Sequence, residues 1–140
     1  MKTLVFVSVV FCALIFGSVP WKSTAATDVQ KRRAVADFRT PVSVQGVVLK
    51  GKHLFVHDDA AMNRGDACTF IYKGEVEVRD KLVTSFHCIH LERAKANNFI
   101  WRSRETASGI LELVDFQFSG ETAAHGVPVS GKIAVVPLVN

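Results

Sequence analysis

The sequence carries turn residues roughly every ten positions, and this spacing limits what the chain can fold into. Between the turns lie short segments in which apolar and polar residues alternate, such as HLFVH at 53–57, ACTFIYK at 67–73 and LVTSFHCIHL at 82–91. Alternation with a period of two is typical of β-strands that bury one face. Outside the N-terminus, no segment sustains a helical period. We therefore expect an all-β fold, a small antiparallel sandwich or barrel of about seven strands.

The first 26 residues differ from the rest of the chain. Lys2 precedes an almost wholly apolar run over residues 3–19, and Pro20 and the small residues 23–26 follow it. A basic start, an apolar stretch and a small-residue exit are typical of a secretory signal peptide. We expect a signal-peptide helix over residues 1–26, and a secreted or periplasmic protein. An uncleaved membrane anchor is the alternative, although the apolar run is near the short limit for crossing a bilayer.

The remaining residues are enough for one domain. Residues 27–36 (TDVQKRRAVA) are polar and are expected to form a flexible lead-in, with a single β domain over residues 37–140. Pro41 favours an edge position for the first strand, because proline cannot donate to a β-ladder. Turns are predicted at Gln45-Gly46 and at Lys50-Gly51-Lys52.

The charge balance does not favour nucleic acid as a partner. The chain has a formal net charge of +4, but Lys2 and Lys22 belong to the leader, so the exported domain would carry +2. Nucleic-acid binding requires a concentrated basic face, and the cluster Lys31-Arg32-Arg33 is expected to be solvated. The partner is expected to be an unidentified small molecule or protein, with membrane contact only through an uncleaved leader.

Two cysteines would remain after cleavage, Cys68 and Cys88. An even number of cysteines in an exported domain indicates a disulfide. If the strands at 67–73 and 82–91 form a hairpin centred near residue 78, the two sulfurs face each other. The bond would stabilise the domain by roughly 3 kcal/mol in the chain-entropy account. We therefore expect a Cys68–Cys88 disulfide, which needs no cofactor.

The competing hypothesis is a copper or zinc site. Residues 53–93 hold four of the five histidines. Imidazole and thiolate groups are the ligands that zinc and copper prefer. On a strand, Cys88 and His90 would share a face, and Cys68 with His57 or His125 could complete a ligand set. The histidines considered as ligands are His57, His87, His90 and His125.

A third hypothesis is a small hydrolase or redox protein built on Cys88 and His90. A cysteine–histidine nucleophile needs a reduced thiol and an orienting group, and no G-x-S-x-G elbow or glycine-rich phosphate loop is present. Catalysis is therefore the less favoured alternative. The first expectation is an exported β domain with a binding or structural role, stapled by the disulfide.

Three segments carry a resemblance to known proteins: VSVQGVVLKGKHLFVH, HDDAAMNRGDACTFIY and LVTSFHCIHLER. Their pattern resembles that of small exported bacterial proteins of unknown function that are expected to be all-β. The resemblance implies an exported, β-rich protein. It implies no activity and assigns no role to any residue.

Overall fold

The structure, a computed structural model, describes residues 30–129, which form one sheet of eight strands. The signal peptide predicted for residues 1–26 lies outside the described residues, as do 27–29 of the lead-in and 130–140 of the domain. A short helix, α1, follows the second strand, and a 3-10 turn, Arg79–Lys81, precedes the fourth. The strands are β1 (Lys31–Val44), β2 (Val47–Asp58), β3 (Thr69–Lys73), β4 (Leu82–Phe86), β5 (Ile89–Glu92), β6 (Ile100–Glu105), β7 (Leu111–Gln117) and β8 (Ala123–Gly126), and α1 is Asp59–Asn63.

The sheet curls into a half-barrel, which confirms the prediction of a mostly β protein. The strands follow the order β4-β3-β2-β1-β7-β8-β5, with β6 paired to β7 beside this path. The fold is therefore a single curled sheet and not a sandwich of two stacked sheets. The pairing of β1 with β7 is parallel, so the expectation of a wholly antiparallel sheet is wrong at this point. The strands between them in the chain provide the long crossover that parallel neighbours require.

The lead-in predicted for residues 27–36 is wrong over residues 31–36, which belong to β1. Arg32 pairs with His57 and Ala34 pairs with Phe55. The alternation that places these residues on one face is that of a strand. Ala34 and Ala36 on this face pack against the hydrophobic core.

β1 lies between β2 and β7 and is therefore not the edge strand that Pro41 suggested. Pro41 lies where the pairing of β1 with β2 is interrupted, between Phe38 and Val42. Because the ladder is already broken there, the missing proline N–H removes no strand hydrogen bond. The turn predicted at 50–52 is absent, since β2 continues through Gly51 with φ of 77°. The turn at Gln45-Gly46 is confirmed, and it joins β1 to β2.

The single strand predicted over residues 82–91 is two strands. β4 pairs with β3 at one end of the sheet, and β5 pairs with β8 at the other end. His87 and Cys88 lie in the break between them. One continuous stretch of chain therefore bridges the two ends of the curled sheet, and Cys88 is at the middle of this bridge.

The core on the inner face contains a group of phenylalanine rings that ends in two imidazoles. Phe38, Phe55 and Phe116 are fully buried, and the rings of Phe55 and Phe116 are 5.1 Å apart. The ring of His125 stacks on Phe116 at 5.1 Å, and the ring of His57 lies 4.1 Å from that of His125. The hydrophobic core thus leads directly to a pair of buried histidines.

The outer face carries a second, smaller cluster made of Leu54, Val56 and Tyr72. Glu77, in the connection from β3 to β4, bonds Lys31 and Arg33 of β1. Arg33 pairs with Val56 in the strand register and therefore shares its face. The carboxylate thus ties the connection to the outer side of the sheet.

Replacement of Glu77 by glutamine should lower the free energy of unfolding by about 0.5–1 kcal/mol, in the range measured for partly exposed ion pairs. The hydrogen bond from Lys31 lowers the pKa of Glu77, so its contribution exists above the ordinary glutamate pKa of about 4.3. It should disappear as the pH falls through the lowered pKa. Urea unfolding of the parent and the variant at several pH values measures the contribution of Glu77 to the free energy of unfolding.

Glu75→Gln is the matched control, because Glu75 pairs with Lys52 and both side chains are more than half exposed. We expect this variant to unfold like the parent protein. Equal losses in the two variants would show that the Glu77 contacts do not hold the connection to the sheet.

Candidate metal centre

Three side chains from three different parts of the sheet converge at the end of the aromatic core. His57 comes from the end of β2, His125 from β8, and Cys88 from the break between β4 and β5. All three are buried, and one ligand atom of each lies within 4.8 Å of the others. The Cys88 Sγ is 3.8 Å from His57 Nδ1 and 3.5 Å from His125 Nδ1.

These separations fit a metal ion placed between the donors. Zinc bonds of about 2.0–2.1 Å to nitrogen and about 2.3 Å to sulfur, at a tetrahedral angle, set the two donors about 3.6 Å apart. The two measured sulfur–nitrogen distances lie close to this value. A metal could therefore be bound with little movement of these three side chains.

A cavity of about 210 Å³ opens beside the three donors. Its other lining residues include Arg32, Asp59, Met62 and His90. Met62 is on α1, whose first turn is capped by Asp58: the Asp58 Oδ1 accepts hydrogen bonds from the backbone N–H groups of Ala60 and Ala61. The donors thus face a space that small molecules can enter.

A carboxylate lies behind each imidazole. His57 Nε2 is 3.1 Å from Asp59 Oδ1, and His125 Nε2 is 3.7 Å from Glu121 Oε2. In the second pair, neither atom has a hydrogen-bond partner, so a small ring rotation would let the imidazole donate to the carboxylate. A carboxylate that accepts from one ring nitrogen leaves the other nitrogen free to bind a metal, as in carboxylate–histidine–zinc sites.

Arg32 neutralises both carboxylates. Its guanidinium donates to Asp59 Oδ1 at 2.9 Å and forms an ion pair with Glu121. In the strand register, Arg32 lies directly opposite His57. The basic cluster predicted to be solvated is therefore divided by the strand: Arg32 faces the site, whereas Lys31 and Arg33 contact Glu77 on the other face.

Burial keeps both imidazoles neutral. It lowers the pKa of His125 to about 3, helped by the positive charge of Arg32 nearby. Burial also lowers the pKa of His57, against the attraction of Asp59. Neutral imidazoles can donate a lone pair to a metal at physiological pH. The two rings are thus in the protonation state that ligation needs.

The two cysteines are neighbours and both are free thiols. Their sulfurs are 3.2 Å apart, and the backbone N–H of Cys88 donates to the Cys68 Sγ at 3.3 Å. The expected proximity is confirmed, but the predicted disulfide is not formed in this structure. In the strand register Thr69 pairs with Phe86, so Cys88 reaches Cys68 from the break and not from a paired position. Burial raises the pKa of the Cys88 thiol to about 12.

Two of the predicted ligands lie outside this group. His87 is exposed, and its Nδ1 is 2.9 Å from the backbone oxygen of Asp66. His90 is also exposed and bonds Glu92 at 2.8 Å, although it reaches the rim of the cavity. His57 and His125 are the predicted histidines that the fold brings together, with Cys88.

Three residues that support the site were not predicted from the sequence: Arg32, Asp59 and Glu121. The alternation around Arg32 in KRRAVA was a usable signal, since it predicts that Arg32 and Ala34 share a face. The roles of Asp59 and Glu121 depend on contacts between distant strands, which no local pattern shows.

Comparison of the chain with family models, with curated proteins and with solved structures finds no match. The resemblance to small exported bacterial proteins therefore stays a prediction. Within residues 30–129, the helices are too short and too polar to cross a bilayer.

Replacement of Arg32 by glutamine should raise the pKa of His57 and His125, because a positive charge that opposes their protonation is removed. It should also lower the free energy of unfolding by about 1–3 kcal/mol, since two partly buried carboxylates lose their counter-charge. Imidazole NMR signals followed against pH measure the first effect, and urea unfolding the second.

Arg33→Gln provides the control, because Arg33 bonds Glu77 on the outer face. Its imidazole titrations should match those of the parent. If Arg32→Gln also left both titrations unchanged, Arg32 would have no electrostatic influence on the pair.

Proposed function

We propose that this protein binds one zinc or copper ion through His57, Cys88 and His125. The observation that carries the proposal is the convergence of three buried donors at the separations a metal ion requires. The carboxylates behind the imidazoles and the neutral state of both rings support it. A buried polar group normally needs a hydrogen-bond partner, and the unpaired His125 Nε2 and Glu121 Oε2 fit a site that becomes ordered on ligation.

The donor set favours zinc and copper over other common ions. Two imidazoles and one thiolate are borderline to soft ligands, whereas magnesium and calcium prefer oxygen. Zinc does not change oxidation state and would leave the thiols reduced. Copper would be expected as Cu⁺, since Cu²⁺ can oxidise a pair of adjacent thiols. Zinc is therefore the better probe for a first experiment.

Three protein ligands would leave a coordination position directed to the cavity. Sites of this kind keep one position for water or a small molecule. Met62 and His90 line the same cavity and offer a thioether and an imidazole near that position. A binding role is thus favoured over a purely structural one.

Export is part of the proposal. It is supported by the order of residues in the leader, where Lys2, an apolar run and small residues follow one another. The domain would then meet metal ions outside the cytoplasm, in the periplasm or the medium.

The reduced protein should bind one equivalent of zinc, and His125→Ala and Cys88→Ser should each lose at least about tenfold in affinity, the lower bound seen even for outer-shell partners. Titration calorimetry under a thiol-free reductant measures the stoichiometry and the affinity of zinc binding. Cobalt(II) should give a thiolate charge-transfer absorption in the parent that is missing in Cys88→Ser.

His87→Ala and His90→Ala are matched controls, because both imidazoles lie outside the donor group. Both variants should bind zinc with the stoichiometry of the parent. Zinc binding that survives in Cys88→Ser and His125→Ala but is lost in His90→Ala would contradict the proposed site.

Zinc affinity should rise about tenfold per pH unit between pH 6 and 8, because the ion must displace one proton from Cys88. The pKa of this thiol is raised to about 12, so the thiol is protonated over the whole interval. The pKa of His125 is lowered to about 3, so the imidazole should release none there. Titrations in buffers with different ionisation enthalpies count the protons, and an affinity independent of pH would exclude a thiolate ligand.

A further inference from the structure

The sulfur of Cys88 takes part in two different groups. It lies 3.5 Å from His125 Nδ1 in the candidate metal centre, and 3.2 Å from the Cys68 Sγ behind it. Cys68 is fully buried and is not part of the donor group. The fold therefore places a second thiol against one metal ligand without making it a ligand itself.

We propose that Cys68 and Cys88 form a redox pair that switches the metal site on and off. As thiols, they leave Cys88 available to bind the ion as a thiolate. As a disulfide, they consume the Cys88 sulfur and the ion is released. This inference rests on the proposed metal function, and it makes the expected disulfide and the expected metal site two states of the same residues.

Little movement is needed to form the disulfide. A disulfide has a sulfur–sulfur distance of about 2.05 Å, so the two sulfurs need to approach by about 1.2 Å from their present separation. The Cys68 N–H donates to Phe86 O, and the Cys88 N–H donates to the Cys68 sulfur. The first of these bonds fixes the backbone of Cys68, so rotation of the side chains can supply most of the movement. A disulfide sulfur carries no thiolate charge and is a poor ligand for zinc.

The oxidant that fits is a small aliphatic disulfide. Cys88 lines the cavity, and Cys68 does not, so the Cys88 thiolate attacks the oxidant. That step breaks the oxidant's sulfur–sulfur bond, forms a mixed disulfide on Cys88 and releases one small thiolate, which takes a proton from water. The Cys68 thiol then loses its proton to the solvent and displaces the second small thiolate, which is protonated in turn, forming the Cys68–Cys88 bond. The two cysteine sulfurs together lose two electrons, the small disulfide gains them and becomes two thiols, and the metal ion leaves.

The test uses the full chain carrying Cys12→Ser, so that the pair supplies the remaining thiols. The protein is loaded with one equivalent of zinc, treated with 2-hydroxyethyl disulfide, and analysed by mass spectrometry and by a chromogenic zinc chelator. We expect loss of two hydrogen atoms without an adduct, release of the zinc, and an affinity at least about 100-fold weaker than that of the reduced protein. Reduction should restore binding.

Cys68→Ser, made in the same background, separates the two roles. When reduced it should bind zinc within about twofold of the parent, because Cys68 is not a ligand. After treatment it should keep the oxidant's thiol as an adduct on Cys88, since no second thiol can displace it. A strong loss of zinc affinity in reduced Cys68→Ser would overturn the inference.

The remaining outcomes distinguish the redox switch from the proposed metal binding on which it rests. Oxidised protein that contains the internal disulfide and still binds zinc as tightly as the reduced form would overturn the switch alone. Thiols that stay reduced in the folded, zinc-free protein but are oxidised in urea would also overturn it. If the reduced protein bound no zinc, the proposed metal function would fail, and this inference with it.

Discussion

The site depends on a single interruption of backbone pairing, at His87 and Cys88. An unbroken strand from Leu82 to Leu91 would pair along its whole length with one neighbour. Instead, β4 pairs with β3 and β5 pairs with β8, so the two strands lie at opposite ends of the curled sheet. The break between them joins these two edges, with His87 exposed and Cys88 buried. Cys88 is buried there for this reason, beside the two imidazoles and the second thiol.

The charged groups around the site are paired with one another. Unpaired buried charges are costly, and here the two carboxylates share one guanidinium, that of Arg32. The imidazoles are neutral, and one of them stacks on the Phe116 ring of the core. The hydrophobic core, the ion pairs and the donor atoms therefore meet at one place.

Local sequence patterns predict the strands better than they predict how the strands meet. Alternation in HLFVH places Phe55 and His57 on one face and Leu54 and Val56 on the other, as observed, because a period of two follows directly from strand geometry. The break at Cys88 could not be predicted, since LVTSFHCIHL is a continuous strand pattern and the break arises from pairing with two distant partners. His57 and His125 could be proposed as ligands from their chemistry, but their convergence depends on β2 and β8 meeting across the core. For the same reason, the sequence alone does not separate the exposed His87 and His90 from His57 and His125 as candidate metal ligands.

X-ray absorption at the zinc edge identifies the atoms that bind the ion. Zinc added to the reduced protein should have one sulfur neighbour at about 2.3 Å and two imidazole nitrogens at about 2.0–2.1 Å. Multiple scattering from the imidazole rings should accompany the nitrogen shell. A first shell of nitrogen and oxygen with no sulfur would show that Cys88 is not a ligand and that the proposed metal centre is wrong.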